Sequence, residues 1–175
     1  VDTIIRMAVD YGMSIGFPTS LLISALLLVQ FVAFPATLIF GWVAGKIGPK
    51  KAIVIAIVAY SLITVFGALM NQQWHFYTLA VLIGCFQGGI QAISRSLYAR
   101  IIPEKKAAQF YGFYNMMGKF AAVIGPALMG TITLVTESNR LGILSILVLF
   151  AGGLFLLLKV DIEEGEKMAK TYLSD

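Results

Sequence analysis

Apolar residues along this chain do not alternate with polar ones and are not confined to one stripe. They run together in five long blocks, with a sixth, partial block at the start. A bilayer core about 30 Å thick takes ~20 helical residues to cross. The pattern predicts spans over about 20–40, 52–70, 76–101, 104–135 and 141–158, preceded by a partial helix over about 1–16 and followed by a polar tail over 160–175. Runs this long without alternation require helices and not strands. The expected class is therefore an all-α, polytopic membrane protein. Its helical bundle covers residues 1–159 and its tail is cytoplasmic.

Composition agrees with the pattern. Hydrophobic residues make up 59% and charged residues 13% of the 175 residues, and the mean hydropathy is +0.88. The net charge of +4 reports topology before anything else, so no nucleic-acid partner is expected. Lys46, Lys50 and Lys51, Arg100, Lys105 and Lys106, and Lys159, Lys167 and Lys170 lie on one side of the spans, against Arg140 alone on the other. This asymmetry puts the lysine-bearing connections and the tail inside, and the membrane is expected to be a plasma (inner) membrane. Trp74 and Tyr77 suit the outer interface and Trp42 the inner. The chain opens at Val1 with Asp2, Arg6 and Asp10 in its first segment, which reads as a cut within a helix of a longer protein and not as a signal peptide.

Function has to be sought in what interrupts the apolar runs. Three polar stripes recur at i, i+4, i+8 and so share a helix face. Asp2, Arg6 and Asp10 lie on the first helix, Gln87, Gln91 and Arg95 on the fourth span, and Tyr111, Asn115 and Lys119 on the fifth. Arg6 and Asp10 fit either a structural ion pair or a functional site. Arg95 fits either a side chain reaching toward headgroups or the wall of a solute cavity. Lys119 lies about 10 to 15 residues into its helix, roughly 15–22 Å by helical rise, too deep to reach headgroups easily. It should face water or a counter-charge, and Asp10 is the available type. Gln30, mid-way along the second span, suits a helix–helix hydrogen bond. Gly125-Pro126 predicts a kink in the fifth span, for packing or for motion.

The third span offers only Tyr60, Ser61 and Thr64, and the sixth only Ser145, so both read as lipid-facing supports. Gly12/Gly16, Gly41/Gly45 and Gly84/Gly88 are small-xxx-small pairs that permit close helix approach. The single histidine, His75, and the single cysteine, Cys85, give no zinc motif and no disulfide. No catalytic pattern, metal site or cofactor is expected, and no pore-lining ring recurs across the helices.

Six spans with polar residues on the first, second, fourth and fifth resemble the C-terminal half of a major facilitator superfamily transporter. Gly41, Lys46, Gly48, Lys50 and Lys51 match that superfamily's cytoplasmic gating signature, with Gly45 in place of its acidic residue. The stretches Gln87–Ser96, Ala99–Pro103 and Phe110–Tyr114, with the opening Asp2-Thr3-Ile4-Ile5, resemble the bacterial branch of the vacuolar amino-acid effluxer-like (autophagy-related) family. The resemblance implies a secondary transporter working by alternating access, with an N-terminal six-helix half as its partner within a longer chain. It implies amino acids as a candidate solute, possible proton coupling, and solute or coupling roles for Arg6, Asp10, Gln87, Gln91, Arg95, Asn115 and Lys119. A non-transporting scaffold or receptor on the same bundle is the alternative.

Overall fold

The computed structural model describes residues 2–171, with the side chains of residues 2, 3 and 5–7 outside the described set. Among the described residues the chain is helical throughout: α1 Asp2–Ser14, α2 Thr19–Ile47, α3 Pro49–Ala68, α4 Gln73–Ile101, a 3-10 turn Glu104–Lys106, α5 Ala107–Thr136, α6 Asn139–Lys159 and α7 Ile162–Thr171. The five helices α2 to α6 are long and apolar enough to cross a membrane. This is the all-α polytopic membrane architecture that the apolar runs predict.

Two elements differ from the sequence expectation. α2 does not stop near Phe40 but runs on to Ile47, through the segment read as the start of a loop. Backbone groups near a membrane gain from internal hydrogen bonds more than glycine loses in a helix. Lys46 adds an i, i+4 contact, its ammonium lying 3.5 Å from the Trp42 ring centre. The helix ends where Gly48 takes φ +89°, a left-handed conformation glycine adopts without strain. Its N–H bonds the Ala44 carbonyl at 3.0 Å, and Pro49 then begins α3 at the position where its missing N–H costs nothing. The connection is thus one residue long.

The second difference is α7, within the segment read as a polar tail. The Glu164 N–H donates to Asp161 Oδ1 at 3.1 Å. Glu163 and Glu164 occupy the first turn and Lys170 the last, complementing the helix dipole. Ala169 is buried, and a side chain at Gly165 would approach Ile101 to 3.1 Å, so α7 lies against the end of α4.

α4 packs mainly on α2 and α3, α3 also on α6, and α5 on α6. Of the small-residue pairs, Gly84/Gly88 seats α2: a Cβ on Gly84 would stand 3.0 Å from the Val29 carbonyl oxygen. Gly12 meets Leu22 and Phe76, whereas Gly41 and Gly45 face open space. Tyr60 is wholly buried, its hydroxyl donating to the Ile83 carbonyl at 3.4 Å. Thr64 is satisfied within its own helix by the Tyr60 carbonyl at 2.7 Å. The exposed side of α3 is the apolar stripe Ile55, Val58, Leu62, Val65 and Leu69. Burial is uneven, with 44% of the apolar window of α3 and of α4 covered, against 17% for α2 and 11% for α5.

Candidate functional site

The poor coverage of α5 leaves a groove between it and α4. Gln91 and Arg95 from α4 and Tyr114, Asn115 and Lys119 from α5 line about 790 Å³, with Gly118, Ala121 and Ala122 keeping the wall low. Four of the seven residues expected to contact solute thus share one groove. The i, i+4 spacing on each helix aims both polar pairs into the same gap. Gln91, Arg95, Asn115 and Lys119 are all exposed to it. None has a hydrogen-bond or ion-pair partner among the described residues. Gln87, one turn along the stripe, is half-buried, and its Oε1 is shielded from solvent without a partner among the described residues. Pro126 lies within α5, and its missing N–H leaves the carbonyl of Ala122 without its usual helical donor.

Asp10 does not reach Lys119. It lines a second, smaller groove of about 250 Å³ between α1 and the far end of α5, with Tyr11, Ser14, Gly130 and Thr133. Lys119 and Gly130 are eleven residues apart on one helix, about 16 Å along its axis. The sequence reading offered Asp10 as the counter-charge because it has no means of setting the height of α1 against α5. The Arg6 side chain lies outside the described residues. Gln30 is exposed and makes no side-chain hydrogen bond among the described residues, so the expected helix–helix bond is not seen.

The gating-signature residues are drawn into helix ends. Gly41, Gly45 and Lys46 lie in α2, Gly48 forms the break and Lys51 is exposed. The Lys50 Nζ donates to the carbonyls of Leu158 at 3.1 Å and Val160 at 2.7 Å. It thereby caps α6 from the start of α3, and a cation suits a helix C-terminus.

One residue the sequence reading passed over borders the groove. Tyr98 stacks with Tyr114 (ring centres 4.8 Å apart) and meets Tyr111 edge-on at 5.8 Å. Its hydroxyl bonds the Phe110 carbonyl at 3.0 Å. It continues the stripe Gln87, Gln91, Arg95 by three residues, and that spacing was the available signal.

Residues 1–170 match the family model described as vacuole effluxer Atg22 like. The chain belongs to this family. An uncharacterized MFS-type transporter, YxiO of Bacillus subtilis strain 168, is 37% identical over 163 residues, covering 93% of this chain and 38% of the relative. Autophagy-related protein 22 of Yarrowia lipolytica is 30% identical over 133 residues, 71% of this chain and 23% of the relative. The chain therefore spans well under half the length of these relatives. No solved structure matches. Membership fits the geometry, in which Gln91, Arg95, Asn115 and Lys119 share one groove of a largely apolar bundle. Intramembrane polar groups are costly there unless they meet water, a partner or a solute.

Proposed function

We propose that this Atg22-like chain is part of a secondary transporter that moves a small solute across the plasma membrane by alternating access. The observation that carries the reading is the convergence of Gln91, Arg95, Asn115 and Lys119, without partners among the described residues, on one groove between α4 and α5. Transporter sites of this kind lie near the midplane, between bundles that rock about them. The apolar faces of α2 and α5, exposed at Phe31, Phe34, Phe113 and Phe120 among others, are where the rest of the longer protein packs and closes the groove. The lysine-bearing connections and α7 face the cytoplasm. Export is the direction that the family's effluxer description favours, and amino acids are the solute to test first. Asp10, at the opposite end of α5, is the group available to carry a coupling proton.

The test uses the full-length parent protein in proteoliposomes. Counterflow of labelled amino acids, sugars and carboxylates is followed with and without a pH gradient. Saturable exchange that Lys119→Gln abolishes supports the reading. No exchange by folded protein would favour a scaffold instead.

A further inference from the structure

We infer that the groove between α1 and the far end of α5 is a cation site, in which the Asp10 carboxylate and the Tyr11 and Thr133 hydroxyls hold a small monovalent cation. Sodium and hydronium are the two sources of that chemistry. Its role in coupling rests on the transport reading above, whereas the binding itself does not and is tested alone.

Two oxygens beside Asp10 depart from the pattern of the rest of the bundle. Tyr60 and Tyr11 are both buried. The Tyr60 hydroxyl donates to the Ile83 carbonyl at 3.4 Å. The Tyr11 hydroxyl is shielded from solvent in a side chain only 2% exposed, yet it has no partner among the described residues. On α5 the Thr131 and Thr136 hydroxyls donate four residues back, to the Ala127 carbonyl at 2.8 Å and the Ile132 carbonyl at 2.6 Å, a common arrangement in helices. Thr133, between them, makes no such bond, and its Oγ1 is likewise shielded and unpartnered among the described residues. A buried hydroxyl left unpaired is costly, and each such group calls for a reason. Both side chains line the groove of about 250 Å³ that Asp10 lines, and Asp10 is exposed. The Ser14 hydroxyl, also on this groove, gives its proton to the Tyr11 carbonyl at 2.7 Å and keeps its lone pairs. Carboxylate and hydroxyl oxygens are hard donors, suited to a hard cation. One carboxylate balances one positive charge, and an ionised acid within a bundle gains from such a counter-ion. The charged groups nearest in sequence on α5 and α6 are Glu137, at the C-cap of α5, and Arg140, whose guanidinium donates to Asn71.

The test measures the Tm of the full-length parent in detergent under three conditions: sodium chloride at about pH 8, choline chloride of equal ionic strength at the same pH, and choline chloride at about pH 6. A bound sodium ion raises the Tm in sodium over choline by about 2 °C or more, since a ligand of the folded state stabilises it. Bound hydronium gives such a rise between the two choline conditions. Either rise should vanish in Asp10→Asn and fall by half or more in Tyr11→Phe. In choline at the higher pH, Tyr11→Phe should be as stable as the parent or more so, because it no longer buries an unpaired hydroxyl. A water beside the hydroxyls would not distinguish sodium from choline. A rise that persists in Asp10→Asn overturns the inference. So does one that needs Asp10 but is undiminished in Tyr11→Phe, because on acidification that is simple protonation of the carboxylate. No rise under either comparison, in folded parent, overturns it as well. Where Asp10→Asn yields no folded protein, Tyr11→Phe decides alone. None of these outcomes touches the transport reading, which counterflow decides.

Discussion

The Tyr98 hydroxyl of α4 donates to the Phe110 carbonyl of α5 at 3.0 Å, just beyond the groove and on the side that carries Lys105 and Lys106. α5 leans on α6 and α1, and α4 on α2 and α3. The Tyr98 cluster is therefore a principal tie between the two walls of the groove. Tyr111 and Tyr114 hold the Tyr98 ring from two sides, so a hydroxyl deletion removes the hydrogen bond without emptying the cluster. A hydrogen bond of this kind is worth about 1 kcal/mol net, roughly a fivefold change in an equilibrium. In the full-length protein, Tyr98→Phe should shift the groove toward cytoplasmic opening by about that factor. Modification of a cysteine placed at Asn115 by a reagent added from the cytoplasmic side would read the shift. Equal rates with and without the hydroxyl would show that the bond does not hold the gap.

A second expectation concerns the seat of α2 on α4. A Cβ at Gly84 would press on the Val29 carbonyl at 3.0 Å and on Val32 at 3.1 Å, all backbone or branched neighbours with little room to yield. Gly84→Val should cost about 1–3 kcal/mol, as overpacking does, and lower the Tm measured in detergent. Gly45, equally part of a small-xxx-small pair, faces open space, so Gly45→Ala should leave the Tm unchanged or slightly raised. Equal losses at the two sites would contradict the packing described.

Lys50 supplies a third. Its ammonium bridges the Leu158 and Val160 carbonyls where α6 gives way to α7. The site is partly exposed, so the loss in Lys50→Met should be modest, about 1 kcal/mol or less. It should be local, appearing as faster tryptic cleavage at Lys159 and Lys167 with little change in Tm. Lys50→Arg, which keeps donors of the same charge, should be cleaved at close to the native rate.

These residues also show which parts of the molecule a single sequence discloses. α3, α4 and α6 fall within a few residues of the apolar blocks because hydropathy sets the limits of a span. The ends of α2 and α7 do not, because there the decisive terms are local: the left-handed Gly48, the Lys46 contact on Trp42 and the Asp161 cap. Gln91, Arg95, Asn115 and Lys119 stood out as candidates because a polar side chain in an apolar helix is conspicuous. Their meeting in one groove depends on how α4 and α5 are placed side by side, which periodicity within one helix does not encode. For the same reason Asp10 was matched to Lys119 by charge alone. Tyr98 was missed because its partners lie on another helix, and its role appears only once Phe110, Tyr111 and Tyr114 are beside it.

The groove predicts its own accessibility. Gln91 and Asn115 are exposed to a space of about 790 Å³ that polar side chains partly line, whereas Thr64 on α3 is 2% exposed in the apolar core. With Cys85, the single native thiol, replaced by serine, cysteines at Gln91 and Asn115 of the full-length protein should react with a membrane-impermeant thiol reagent. A cysteine at Thr64 should not. A transported solute should slow the reaction at the first two positions, because it occupies the contacts those side chains offer. A scaffold whose stripes only join helices to one another would hold a dry seam at the same place. Resistance at both positions, matching that at Thr64, would therefore decide for the scaffold. Reaction without protection by any transported solute would show a wet groove that does not hold the solute.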